Sequence, residues 1–383
     1  MSDSRIGKMR LLASANDPGA AYQLIEVLKR ARETGRVEIC VVAGATTLPI
    51  FERAGFSAKQ AYAPRVNFQA SKGEMESIGE ARALIAEFLP DAILVGLSGP
   101  DRGIDEGLVA CAGHRPTYAV QDFWGDVNPG FGSLSGTYFV LDEFAAGITQ
   151  QRAPGSRVIV TGSARHAAMR GLDPLMLRKR YRAALDVPAS ALCAVFFGQP
   201  LWMLPGYALT LTRLSKGLVD FSKNVLFCYR PHPKESCSDA AKALHCLRRP
   251  GLDVKLYSNA RMEASLCGAD VMMTCYSSCG LDLSYISKFS KSPLGVMVFS
   301  MFEEDVRRFY RATTSLQRLP LVEQGMASII EEQGDTEKIL REACSEHGRM
   351  QKWQAAVKDV RDLAGAAEQI VRTIMHDWTS FVH

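Results

Sequence analysis

The sequence predicts an α/β protein built as two doubly wound parallel sheets, each flanked by helices. Three observations carry this. Short, continuous apolar runs recur along residues 9–162, separated by segments with helical spacing. Uninterrupted apolar strands alternating with helices are the pattern of a parallel sheet covered on both faces. A polar, basic, helical stretch, TGSARHAAMRGLDPLMLRKRYRAALDVP (161–188), breaks that rhythm, and from residue 191 the alternation starts again.

The elements follow in order. MRLLAS (9–14) reads as a short buried strand, NDPGA as a turn, and AAYQLIEVLKRAR as a helix with Tyr22, Ile25, Leu28 and Lys29 near one face. VEICVVA (37–43) is a second strand, and TTLPIFERAGF a helix ending near Gly55. Residues 80–98 give a helix, a Pro-Asp break and a strand. PTYAVQD (116–122), TYFVLDE (137–143) and SRVIVTG (156–162) are three more strands. In the second half, ALCAVFFGQ (191–199), NVLFCYRPHP (224–233), LDVKLYS (252–258), DVMMTCYSS and PLGVMVFS (293–300) read as strands, the last being the final one expected. YALTLTRLSKGLVDF (207–221), RMEASLCGA and GLDLSYIS supply helices between them, and the C-terminal part is helical throughout. The expected division is an N-terminal Rossmann-like domain at 1–165, a second at 166–350, and C-terminal helices at 351–383 that can cross back to the first domain.

Bulk properties narrow the class. The chain has 383 residues, 47% of them hydrophobic, which suffices for about two packed domains. The formal net charge is +4 and the basic residues are interspersed, so nucleic acid is not the expected partner. Anionic ligands, and peripheral contact with an anionic membrane surface, remain compatible with that charge. The ten cysteines form no CxxC pair, and most lie in apolar runs such as EICVV and ALCAVFF. His, Cys and Asp are scattered without ligand spacing, so no metal site is expected. No apolar stretch approaches the ~20 residues that span a bilayer, and the N-terminus has no secretion-signal core. The expectation is a cytoplasmic protein; oligomeric state is not readable.

Three stretches carry a family resemblance. YRPHP (229–233) resembles a hydrophobic strand followed by Arg/Lys-x-His-Pro. LYSNARMEASLCGADVMMTCYSSCGLDLSYI resembles a segment in which a strand runs into Thr-Asp-Tyr-Ser-Ser and then a helix. VIVTGSARHAAM resembles the segment that opens an interdomain link. Together they resemble the GT-B glycosyltransferase superfamily, in particular the group holding CDP-glycerol polyol-phosphate transferases, capsule glycosyltransferases and UDP-GlcNAc 2-epimerases. The resemblance implies two Rossmann-like domains facing a cleft, with a nucleotide-activated donor held by the second domain and the acceptor by the first. It departs from the pattern at Cys275, where the segment usually has an acid, and it lacks the HGTPLK-type segment of the polyol-phosphate enzymes.

On that reading the donor's leaving phosphate must be held and its developing charge neutralised. A helix N-terminus does this with unpaired amide N–H groups and its dipole, and Tyr276, Ser277 and Ser278 lie where such a terminus should be. Ser277 serves equally as a helix cap. Arg230 and His232 end a strand on the carboxyl edge where doubly wound sheets bind ligands, and can pair with phosphate or ribose; a surface turn is the alternative. Gly198 and Gln199 sit where related enzymes contact the nucleotide, and Trp202 either stacks on a base or joins the core. Glu263, on a short helix, either faces the nucleotide or is solvated. In SANDPGAA (14–21), Pro18 and Gly19 fit a tight turn, and the GxGxxG spacing of a dinucleotide site is absent. Asp17 there is a helix cap, an acceptor contact or the general base. Asp122, in AVQDFWGDVNPG, is a second candidate base, with Asp126 and Trp124 as a carboxylate-and-aromatic rim; an exposed polar loop with a core Trp is the alternative. His114 and His166 read as structural.

The expected activity is therefore a metal-independent transfer of a sugar from a nucleotide-sugar, used as substrate with no further cofactor, to a hydroxyl or amine of a small-molecule or glycan acceptor. A UDP-GlcNAc 2-epimerase-like enzyme, a polyol-phosphate transferase and a non-catalytic nucleotide-binding scaffold are the alternatives.

Overall fold

A computed structural model describes residues 7–63, 74–97, 101–188, 191–221, 225–257, 260–314, 316–360 and 365–382. Ser98, Asn224 and Ser258, each at the end of an expected segment, lie outside the described residues. The chain divides into two compact units, residues 1–168 together with 361–383, and residues 169–360.

The first unit holds strands β1 (Met9–Ala15), β2 (Val37–Ala43), β3 (Ala58–Gln60), β4 (Ala92–Val95), β5 (Thr117–Val120), β6 (Thr137–Val140) and β7 (Arg157–Val160). They form one parallel sheet in the order β3-β2-β1-β4-β5-β6-β7. The helix Pro18–Glu33 starts at once after β1 because Asp17 caps it, accepting the Gly19 N–H at 3.0 Å, and Pro18 occupies its first turn, where no N–H is needed. Its buried side chains Leu24, Val27 and Leu28 join Leu11, Ala13, Leu94, Val120 and Phe139 in the core. The terminal helix Ala366–Val382 adds Ile370, Ile374 and Trp378 to the same core, and Glu368 pairs with Arg30 on its surface. β5 and β6 are joined not by a helix but by residues 121–136, an irregular crossover that carries Asp122 and Asp126. Arg152 ties it down by donating to the carbonyls of Gly125 and Val127.

The second unit holds β8 (Leu192–Phe197), β9 (Val225–Arg230), β10 (Asp253–Leu256), β11 (Val271–Thr274), β12 (Val296–Ser300) and β13 (Ala327–Ile330), parallel in the order β10-β9-β8-β11-β12-β13. The expectation that 293–300 is the last strand is corrected by β13, a four-residue edge strand entered from a turn at Gly325, whose φ of 74° favours glycine. β11 and β12 are buried at every position, as their unbroken apolar runs require. Asp270, just before β11, receives the Cys193 N–H at 2.8 Å and ion pairs from Arg178 and Arg182 of the helix Pro174–Ala184. That helix is polar and basic because its inward cations satisfy this carboxylate and the carbonyls of residues 267–269, 188 and 191. Among the described residues, no helix is long and apolar enough to cross a membrane.

Candidate functional site

In an open parallel sheet, ligands bind beyond the carboxyl ends of the strands where the strand order reverses. In the second unit that point lies between β8 and β11, since β8 is followed by β9 on one side while β11 adds on the other. The exits of β8 and β11 carry Gly198–Gln199 and Cys275–Ser278, and β9, the other neighbour of β8, exits into Arg230–His232.

Gln199 joins the first two exits. Its side-chain oxygen accepts the Thr274 hydroxyl at 3.0 Å and the Tyr276 N–H at 2.9 Å, which fixes the orientation of the carboxamide. Its NH2 group then finds no acceptor among the described residues. The helix Cys279–Phe289 begins with Ser278 at the N-cap, and Ser278 makes no side-chain capping bond. The Ser277 hydroxyl instead accepts the Cys279 N–H at 3.3 Å. The backbone N–H groups of Ser277 and Ser278 find no acceptor among the described residues, so this helix start presents two unpaired amides and the positive end of its dipole. Tyr276, Ser277 and Ser278 are all half-buried, and the Tyr276 ring packs on Tyr310 with centroids 5.2 Å apart. Cys275, where the family pattern has an acid, is fully buried, and that burial pushes its thiol pKa up. Gly280 serves packing: a Cβ there would stand 2.8 Å from Leu321 and 3.0 Å from Phe299.

Arg230 donates through Nη1 to the Ala260 carbonyl at 2.8 Å and to the Ser265 hydroxyl at 3.1 Å. Burial lowers its pKa, and Glu263 and Cys279 are among the groups whose field acts against that. Glu263 and Cys279 both belong to the segment 256–286, so two of the stretches singled out in the sequence meet at this guanidinium. Glu263 itself pairs at 3.4 Å with the exposed Arg261. His232 donates its backbone N–H to Glu235 at 2.6 Å, while its Nδ1 accepts the Lys234 N–H at 3.1 Å, which places the proton of the neutral ring on Nε2. Gly198 continues the sheet by donating to the Arg230 carbonyl at 2.8 Å, and a Cβ on it would overlap Glu235 and Tyr229. Trp202 is half-buried, its Nε1 held by Glu235 at 2.7 Å and its ring edge-on to Tyr207. Glu235, Tyr207 and Tyr229 were not singled out in the sequence.

In the first unit the switch point lies between β1 and β4. Asp17 and Asp122 meet at the start of the helix Pro18–Glu33. A Cβ on Gly19 would overlap the Asp122 carboxylate and stand 3.5 Å from Asp17 Oδ1. Gly19 therefore lies inside the helix and is small to admit Asp122, which corrects the tight-turn reading of Pro18–Gly19. Asp105, fully buried, accepts the Asn16 N–H at 2.8 Å and the Ser14 hydroxyl, and so fixes the exit of β1. Burial, and next the Asp122 carboxylate, push the Asp126 carboxyl well above its ordinary range. Trp124 is a core residue, 2% exposed, with its Nε1 on Asp142, so it forms no rim. His166 is buried with Nδ1 on the Ser163 hydroxyl. Among the described residues no group of three or more His, Cys, Asp or Glu side chains could hold a metal ion.

No protein-family profile matches this chain, and no curated protein matches it. Solved structures do match. The chain is similar to UDP-GlcNAc 2-epimerase from Neisseria meningitidis bound to UDP-GlcNAc, with 12% identity, 96% of this chain and 100% of that one covered, and a TM-score of 0.69. It is similar to Acinetobacter baumannii MurG, with 14% identity, 96% and 99% coverage, and a TM-score of 0.56. It is also similar to Anabaena HepE in complex with UDP and glucose, with 14% identity, 96% and 100% coverage, and a TM-score of 0.61. The chain has the GT-B fold that these structures share, two parallel-sheet units with flanking helices.

Proposed function

We propose that the chain is a GT-B glycosyltransferase that moves a sugar from a nucleotide-activated donor to an acceptor hydroxyl or amine. One observation carries the donor assignment. At the β8/β11 switch point, the backbone amides of Ser277 and Ser278, which find no acceptor among the described residues, stand at a helix N-terminus, beside an exit loop locked by Gln199. Donors fixed in this way stabilise a phosphate leaving group without having to reorganise as its charge develops. Arg230, His232 and Glu263 are the further donor-side residues, and Gly198 gives the loop its close approach to Glu235. Neighbours of the same fold were crystallised with UDP-GlcNAc or with UDP and glucose, which supports a nucleotide-sugar as the ligand class.

The acceptor side rests on Asp17 and Asp122. Either carboxylate can take the proton of an attacking hydroxyl. Asp126, whose carboxyl is pushed well above its ordinary range by burial and then by the Asp122 charge, is the neighbour of that pair. No cofactor beyond the nucleotide-sugar is needed for this chemistry, because the chain itself supplies the donors that neutralise the leaving group.

One observation favours a second reading. The likeness to the Neisseria meningitidis epimerase, at a TM-score of 0.69, exceeds that to MurG and HepE. A 2-epimerase-like enzyme needs no second substrate: after the nucleotide leaves, either water adds to the sugar and both are released, or the nucleotide adds back to the sugar inverted at C2. Turnover of UDP-GlcNAc, UDP-glucose, CDP-glycerol and CMP-linked sugar, with and without a mixed acceptor pool, separates the readings. A transferase shows slow nucleotide release that the acceptor pool raises at least 10-fold, and Asp17→Asn or Asp122→Asn abolishes the rise. Fast acceptor-independent release, or conversion of the nucleotide-sugar to its C2 epimer, establishes the epimerase reading. Tight binding with neither release of nucleotide nor epimerisation of the sugar establishes a non-catalytic scaffold.

A further inference from the structure

We infer that Glu235 is the positioning residue of the nucleotide site, setting the β8 exit and the β9 exit in one register through a single carboxylate. This rests on the donor assignment above and adds a residue to it.

Three donors from different parts of the second unit converge on this group. Oε1 accepts the Trp202 Nε1–H and the Tyr229 hydroxyl, both at 2.7 Å, and Oε2 accepts the His232 backbone N–H at 2.6 Å. The Glu235 N–H returns to the His232 carbonyl at 2.9 Å, closing a tight turn around His232. Gly198 completes the enclosure, since any side chain there would strike the Glu235 carboxylate.

The carboxylate also orders a chain of hydroxyls. A carboxylate only accepts, so Tyr229 must donate to it. The Tyr207 hydroxyl, 3.2 Å from that of Tyr229, then donates to Tyr229. Its own oxygen is left to accept the Gln199 N–H at 3.0 Å. Every link runs in one direction, from the backbone of Gln199 to Glu235. Gln199 in turn holds the Tyr276 N–H, two residues from the unpaired amide of Ser278. Burial raises the pKa of both tyrosines, so each stays a neutral hydroxyl able to relay this order. One charge thus fixes His232 directly and the phosphate-facing loop at three removes.

Glutamine in place of Glu235 keeps the shape but has one acceptor oxygen. If that oxygen serves Trp202 and Tyr229, the amide NH2 faces the His232 N–H, donor against donor. If the side chain flips, Tyr229 loses its acceptor and the hydroxyl chain loses its direction. Shape is preserved in both cases and order is not.

The test is a double-mutant cycle on nucleotide affinity, by calorimetry with the tightest binder among UDP, CDP, GDP, dTDP and CMP. Glu235→Gln should weaken binding about 10-fold and His232→Ala by a similar factor. The double variant should be worse than either but by less than the product of the two effects, because Glu235 acts in part through His232 and in part through Gln199. Thermal unfolding of Glu235→Gln is measured alongside, as a purely structural role would lower stability and leave affinity in place. If His232→Ala weakens binding while Glu235→Gln does not, or if the two effects multiply, the positioning role is wrong and the donor site stands. If no nucleotide binds the native chain, the donor assignment falls and this inference with it.

Discussion

Replacing Ser278 by proline should weaken nucleotide affinity roughly 10- to 100-fold relative to Ser278→Ala, while the second unit stays folded. The substitution removes one of the two unpaired amides. Ser278 has a φ of −64°, which proline adopts without strain, and it stands at the N-cap, where its N–H has no partner within the helix. A hydrogen bond to a charged group contributes about 1.5–3 kcal/mol, and ~1.4 kcal/mol is tenfold in affinity. Ser278→Ala lacks the hydroxyl but keeps the N–H, so the difference between the variants isolates the backbone donor. Calorimetry with UDP and CDP, next to circular dichroism to establish folding, reads the result. Equal affinities would show that phosphate does not meet this amide.

Asp270→Ala should be the most destabilising single change in the second unit outside its apolar core, costing about 3 kcal/mol. The Asp270 carboxyl is 12% exposed, and Arg182, one of its two partners, is 11% exposed. Removing the carboxylate leaves the buried Arg182 guanidinium without its counter-charge and the Cys193 N–H without its acceptor. For a unit of this size the loss corresponds to a fall in Tm of roughly 6–12 °C. The pH dependence has a definite sign. Burial acts to raise the Asp270 pKa, but the Cys193 N–H and the two arginines outweigh it and hold the group below the ordinary carboxylate value. The stabilisation is therefore present above the unfolded-state pKa of about 3.9 and is lost as pH falls through the lower folded-state pKa. Asp270→Asn should flatten that acid limb in a thermal melt series from pH 7 to pH 3. An unchanged limb would place the acid sensitivity elsewhere.

How far the sequence reaches depends on the range of the interactions. β8, LCAVFF, and β11, VMMT, are continuous apolar runs that only a twice-covered strand explains, and both are legible. β3, AKQ, and β13, ASII, lie at the sheet edges, are three and four residues long, and carry too little apolar signal to be read. Asp17 as a helix cap is a local rule and is legible; the meeting of Asp17 with Asp122 is not, because it needs the sheet to bring the exits of β1 and β5 to one edge. The role of Gln199 is hidden for the same reason, as its partners lie 75 and 77 residues away. Glu235 has a faint local signature, a carboxylate three residues after His232 in a turn, but nothing local points to Trp202 or Tyr229 as its donors. Trp124 is open to both readings in the sequence, since an aromatic beside aspartates suits a sugar-facing rim as well as the core, and its indole is packed inside the first unit.

The central claim is that an anionic leaving group docks on the start of the helix Cys279–Phe289. Crystals grown with UDP test it most directly. The account predicts phosphate oxygens within hydrogen-bonding distance of the amides of Ser277 and Ser278, with the Gln199 carboxamide alongside. Phosphate density seated on any other part of the second unit, with those two amides still unbound, would contradict it.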